Sequence, residues 1–316
     1  MLRLAVLWLV FFMSAAGTTS AAAPLRVVTT TAQIADVVRN VAGPRAMVES
    51  IMGEAVDPHT YRQTRSDIVT LRRADLVLYN GLYLEPQLEP LLQRLARSQN
   101  VVAVGEKLDP EMLLSHPDYD GKFDPHIWMD VAIWSRIVPV VVDALARVEP
   151  DERAFFEERA KVYLDELAGL GAYVREVLAS IPERSRILVT AHDAFRYLAR
   201  ANDIEVVGIQ GLSTESEAGL QRVETLVDML VERGVGAVFV ESSVPRRNIM
   251  ALVEGCAARG HGISVGGSLY SDAMVAPNSY EGTYDGMIDH NATAIASALG
   301  GTVPERGWQG RLGAGS

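Results

Sequence analysis

The chain has 316 residues, 48% of them hydrophobic and 22% charged, enough to bury a sizeable core and too apolar for global disorder. Its formal net charge of −11 argues against nucleic acid or an anionic membrane surface as partner. The acidity is compatible with a cation as ligand, but plain solubility explains it equally well.

The first segment, MLRLAVLWLVFFMSAAGTTSAAAP, carries Arg3, an apolar run from Leu4 to Met13 and then small residues, the pattern of a secretory signal peptide. The run is shorter than the ~20 apolar residues of a membrane span. Cleavage near Ala23 is expected. No cysteine lies near that point, so a periplasmic protein without a lipid-anchor cysteine is expected. The one cysteine, Cys256, cannot form an internal disulfide and reads as a small buried hydrophobe.

From residue 24 the pattern alternates. Leu25–Thr30 is a short strand, Ala32–Val41 an amphipathic helix stopped by Gly43, MVESIM a strand, SDIVTLRRA a helix. DLVLYNG, EPQLEPLLQRLARS and NVVAVGE continue as strand, helix and strand. Strands alternating with helices imply βα units and a largely parallel sheet. VAIWSRIVPVVVDALARV then reads as one helix, with Pro139 as a kink. Residues 151–181 keep a 3.6-residue apolar period with no internal proline, and Pro150 and Pro182 punctuate the ends. The βα pattern restarts at RILVTA, with helices expected at HDAFRYLARA, QRVETLVDMLVERG, RRNIMALVEGCAARG and TYDGMIDHNATAIASAL. The Gly-rich tail from Gly301 reads as loose. The fold class is therefore α/β. The expected division is a signal peptide at 1–23, an N-terminal lobe at 24–150, a linking helix at 151–181 and a C-terminal lobe at 182–316. VVTTTAQIADVV and LVTAHDAFRYLA echo one another: each is a strand ending in Thr that feeds a helix.

Two copies of Asp-Pro-His, at 57–59 and 124–126, place a histidine after a stiff dipeptide. Proline fixes its own φ near about −65° and pushes the residue before it toward an extended backbone, which suits a side chain that must be aimed. Of the six histidines, His59, His126 and His192 sit where a strand or loop meets the next helix. Ligands of open α/β sheets bind at the carboxyl ends of strands. His116 lies in a polar loop, His261 between glycines, and His290 inside a helix. Asp272 follows the strand GISVGGSLY. Three imidazoles and one carboxylate can enclose a divalent transition metal. Asp57, Asp124, Asp193 and Glu241 are candidates to orient the imidazoles, although the two Asp-Pro residues serve turn formation as well.

The stretches VDPHTYRQTRSDI, ADLVLYNG, FDPHIWMD, VTAHDAFRYLARANDIEVVGIQGLSTESEAG, AVFVESSV and LYSDAM…GTYDGMIDHN resemble the zinc/manganese-type (cluster A-I) solute-binding proteins of ABC transporters. They run in family order through almost the whole chain after the signal. The resemblance implies two lobes joined by one long rigid helix, with one dication between them held by His59, His126, His192 and Asp272. It implies Zn2+ or Mn2+ as transported ligand, with Fe2+ a further candidate, a membrane permease as partner, and a monomer. The long His-rich loop of many zinc-specific members is short here, with His116, Asp118 and Asp120 alone, and the third ligand position carries His192 where manganese members often have Glu. The competing readings are a secreted zinc hydrolase and an adhesin with a structural metal. No H-E-x-x-H, G-x-S-x-G or phosphate-binding G-x-x-x-x-G-K-[ST] motif supports an enzyme.

Overall fold

Short aliphatic runs alternate with helices whose apolar residues recur every three to four positions, and the runs at 76–79, 187–190 and 237–241 are buried throughout. The computed structural model describes residues 23–117, 119–276 and 278–313. The first lobe contains β1 (Leu25–Thr29), α1 (Ala32–Ala42), β2 (Ala46–Ser50), α2 (Arg65–Arg73), β3 (Leu76–Tyr79), α3 (Glu89–Leu95) and β4 (Val101–Ala103). Its strands form one parallel sheet in the order β2-β1-β3-β4. Ile34, Val37, Val38 and Val41 make the α1 stripe and are fully buried. A capping box starts α2: Asp67 N–H donates to Thr64 Oγ1 and Thr64 N–H to Asp67 Oδ2.

The single helix expected after the second Asp-Pro-His is two, α4 (Val131–Trp134) and α5 (Ile137–Val148). The break falls at Ser135–Arg136, four residues ahead of Pro139 rather than at it. The proline ring would collide with the carbonyl four residues earlier, so Pro139 is accommodated in the first turn of a new helix.

The long element is α6 (Arg153–Ala179), 27 residues or ~40 Å at about 1.5 Å per residue. It packs against α1, α4 and α5 on one side of the chain's midpoint and against α7 and α10 on the other. The second lobe comprises β5 (Ile187–Thr190), α7 (Arg196–Asn202), β6 (Glu205–Gly208), α8 (Leu220–Arg233), β7 (Ala237–Glu241), α9 (Arg247–Ala258), β8 (Ser264–Leu269) and α10 (Tyr284–Ala298). Here β5 pairs with β6 and β7 with β8, both parallel, and β5 runs alongside β7. The fold is thus α/β, two lobes of parallel strands flanked by helices and joined by one long helix.

The two lobes repeat a local device. Thr29 Oγ1 donates to Thr31 O at 2.9 Å, and Thr190 Oγ1 to His192 O at 2.8 Å. The amides of Ile51 and Met52 bond to the carbonyls of Thr29 and Thr30, and those of Ile209 and Gln210 to Thr190 and Ala191. His192 therefore occupies in the second lobe the strand-end position that Thr31 holds in the first. α7 begins at Arg196 and not at His192, where the sequence pattern places its start, because Glu241 Oε1 takes the His192 amide.

One apolar core runs through both lobes, from Leu25 and Trp128 past Leu167 of α6 to Leu188 and Tyr284. Smaller clusters lie under the outer helices of each lobe. The tail, expected to be loose, folds back on α10 through Gly313. Trp308 N–H donates to Asp289 Oδ1 at 2.9 Å, and Leu312 is 2% exposed. Gly307, at φ +63°, makes this return, since a Cβ there would lie 2.4 Å from Leu312 Cδ1. Because Leu167 is fully buried in the shared core, Leu167→Ala should cost about 2–5 kcal/mol. Denaturant unfolding followed by circular dichroism should show one shifted transition and not an early loss of a single lobe.

Candidate metal centre

His59, His126, His192 and Asp272 come together between the lobes. Each offers one ligating atom, these atoms lie within 4.8 Å of one another, and all four residues are buried. His59 follows β2 on the first Asp-Pro turn, with its amide donating to Asp57 Oδ1 at 2.9 Å. His126 sits on the second, with its amide donating to Asp124 Oδ1 at 3.0 Å. Behind that turn, Asn80 Nδ2 donates to Pro125 O at 3.1 Å, and Tyr197 OH to Asp124 O at 2.9 Å. Glu85 fixes Asn80 in turn by accepting from its amide and from Thr30 Oγ1.

Two rings are oriented by carboxylates. His126 Nδ1 lies 2.8 Å from Asp124 Oδ1, and His192 Nδ1 lies 2.5 Å from Glu241 Oε2. Glu241 Oε1 also accepts the His192 amide at 2.8 Å. Each carboxylate takes the Nδ1–H, fixes the tautomer and leaves Nε2 with its lone pair facing inward. Inside the cluster, His59 Nε2 and His126 Nε2 are 3.3 Å apart, and His192 Nε2 is 3.2 Å from Asp272 Oδ2. His192 Nε2 and Asp272 Oδ1 are buried with no well-directed hydrogen-bond partner. Four buried ligating atoms converging on one point are the chemistry of a cation site.

Asp272 reaches the cluster from just beyond β8, and the first lobe grips its backbone. Gln33 Nε2 donates to Asp272 O at 2.9 Å, and Trp128 Nε1 to Ser271 O at 2.8 Å. Ser243 Oγ lies 3.3 Å from Asp272 Oδ2. The sequence pattern did not point to Gln33, Trp128 or Ser243. Trp128 stands two residues past an Asp-Pro-His, the one signal that could have found it.

Of the four carboxylates expected to orient rings, Asp124 and Glu241 do so. Asp57 reaches no imidazole ring and accepts instead from the His59 amide and from the Thr60 and Thr214 hydroxyls, and Asp193 faces Arg196 at 3.8 Å. The other histidines stay outside the cluster. The His116 ring lies tilted against Tyr119, with ring centroids 4.7 Å apart, in the short polar loop. His261 Nε2 bonds to Val235 O at 2.7 Å, and His290 Nε2 to Ser268 O at 2.9 Å.

Burial, with the neighbouring imidazoles, pulls His59 down to about 3 against the pull of Asp272, so its ring is neutral. Burial also lowers His192, but Glu241 and Asp272 outweigh it and hold the ring well above the ordinary imidazole range. For Asp272, burial is outweighed by His192, His59 and His126, which keep the carboxylate far below its usual range. The set without an ion therefore consists of an ionised Asp272, a neutral His59 and a proton on His192.

The family model described as the periplasmic component A of the zinc-uptake complex matches residues 27–298. The manganese-binding lipoprotein MntA of Bacillus subtilis is 43% identical over 303 residues, covering 94% of this chain and 98% of that one. The zinc-binding protein TroA of Treponema pallidum is 43% identical over 291 residues, 91% of this chain and 94% of that one. The solved structure of that periplasmic zinc-binding protein superposes with a TM-score of 0.85 at 42% identity, covering 88% of this chain and 99% of that chain.

These relatives correct one expectation. The Bacillus subtilis protein is named a lipoprotein, and so are streptococcal relatives. That points to lipid-anchored extracytoplasmic proteins and overturns the expectation of one secreted free into the periplasm. The signal-peptide segment itself lies outside the described residues.

An incoming dication must expel the proton from His192, whereas His59 and Asp272 have none to lose near neutral pH. Affinity should therefore rise with pH up to the raised pKa of His192 and fall below it. Calorimetric titration of Zn2+ at pH 7 in buffers of different ionisation enthalpy should show net proton release as His192 gives up its proton. Equal heats in all buffers would contradict this charge state.

Proposed function

The chain belongs to the family of the periplasmic zinc-uptake component A, and we propose that His59, His126, His192 and Asp272 hold its cargo between the lobes. It is an extracytoplasmic solute-binding protein of an ABC transporter and not an enzyme. Its cargo is zinc or manganese, and its partner is the transporter's membrane permease. The observation that carries the ligand set is the meeting of three Nε2-type donors and one carboxylate within 4.8 Å, from residues far apart along the chain.

The two relatives at 43% identity differ in cargo, manganese for one and zinc for the other. The Irving–Williams order favours zinc over Mn2+ and Fe2+, and a nitrogen-rich set deepens the preference. We propose that zinc binds more tightly and that manganese is carried where free zinc is scarce.

The division into lobes at 24–150 and 182–316 around a linker at 151–181 is proposed on the same footing, as is a monomeric state. A continuous α6 packed into a core common to both lobes resists a wide hinge motion, so release proceeds by local movement of the ligand loops.

In competitive titration of chelator-stripped protein, replacing any of the four residues by Ala should weaken zinc binding beyond the ~10–100-fold seen for supporting residues. His261→Ala and His290→Ala should bind as the parent does. Unchanged affinity in two of the four variants would reject the assignment. X-ray scattering should give nearly equal radii of gyration for metal-free and loaded protein, and a large compaction on loading would refute the stiff linker.

A further inference from the structure

The two Asp-Pro-His turns share a second feature. In each, one Asp oxygen accepts the amide of the His two residues on, at 2.9 Å for Asp57 and 3.0 Å for Asp124. In each, the other oxygen is met from the opposite lobe. Thr214 Oγ1 donates to Asp57 Oδ2, and Arg196 NH1 donates to Asp124 Oδ2 at 3.4 Å. Thr214 lies in the connection between β6 and α8, and Arg196 opens α7. Beside Thr214, Glu215 Oε1 accepts from Gln87 Nε2 of the first lobe at 3.1 Å.

A polar groove of about 310 Å³ opens next to the Asp57–Thr214 bond and is bordered by Thr60, Gln210 and Ser243. Ser243 also touches Asp272. The groove and the edge of the ligand cluster thus share Ser243. On the other side of the cluster, Gln33 and Trp128 tie the Asp272 segment to the first lobe. The Asp272 side is thus tied across the lobes by Gln33 and Trp128, and the Asp57 side by the Thr214 hydroxyl and the exposed Gln87–Glu215 pair.

We propose that Asp57 and Asp124 are positioning residues that couple the seating of the second lobe to the aim of His59 and His126, with the Thr214–Asp57 bond the latch that opens for release. The proposal rests on the ligand set given above. The proline in each turn removes a backbone freedom, so the Asp carboxylate and the His backbone shift together. Losing the Thr214 hydroxyl leaves Asp57 Oδ2 held from its own lobe by Thr60 alone, at 3.2 Å. The turn is then free to drift while all four ligands remain in place.

The test is the rate at which the full-length, zinc-loaded protein yields its ion to excess EDTA in a stopped-flow instrument. Thr214→Val should release zinc roughly tenfold faster, about 1.4 kcal/mol, with the association rate and the unfolding midpoint of the metal-free protein unchanged. Thr214→Ser restores the hydroxyl and should release at the parent rate. Arg196→Met severs the other relay without touching the latch and should speed release several-fold. Parental rates in both Thr214→Val and Arg196→Met would overturn the proposal, as would a Ser variant as fast as the Val variant. A parent protein that retains no zinc would instead refute the ligand set, and the latch with it.

Discussion

Negative charge buried between the lobes is the constraint on which the rest of the structure depends. Asp124, Asp272 and Glu241 are at most 4% exposed, and all three touch or adjoin the imidazole cluster. Ionised carboxylates out of water are costly unless a positive charge answers them. Without an ion the answer is a proton on His192, with Arg196 lending part of its charge to Asp124. A dication meets the same need with greater charge and lets every imidazole act as a neutral donor. The affinity and the pH response of the site thus come from one imbalance.

The scaffold serves that imbalance by limiting what can move. Strand ends deliver His192 and Asp272, and the Asp-Pro turns deliver His59 and His126, so no ligand hangs from a helix interior. Thr190, Asn80, Gln33 and Trp128 hold the backbone of the ligand segments or of the residues beside them, and Asp124 and Glu241 hold two of the rings. A core continuous through α6 keeps the lobes in register. Carriers differ from structural metal proteins in needing a route out, and the groove beside Thr214 meets the cluster's edge at Ser243.

Much of this was legible in the sequence because it is local or periodic. The βα alternation is written in aliphatic runs, the long helix in an uninterrupted 3.6 period, and the aimed histidines in proline stiffness. Context at strand ends separated His192 and Asp272 from His261 and His290. Non-local contacts were not legible. Gln33 is one of four polar residues on the amphipathic α1, and only the approach of the second lobe gives its amide the Asp272 carbonyl. Nothing local marks Thr214 as a partner of Asp57. The late start of α7 depends on Glu241 capturing the His192 amide across 49 residues. The tail looked loose because glycine content signals freedom, whereas Gly307 supplies a tight return that buries Leu312.

The central claim is that three imidazoles and one carboxylate enclose a single exchangeable dication. X-ray absorption at the zinc edge of the loaded protein tests it most directly. The account predicts a first shell of nitrogen and oxygen at about 2.0–2.2 Å with no sulfur near about 2.3 Å, and outer-shell scattering that fits three imidazole rings. A shell with sulfur, or with one imidazole or none, would contradict it.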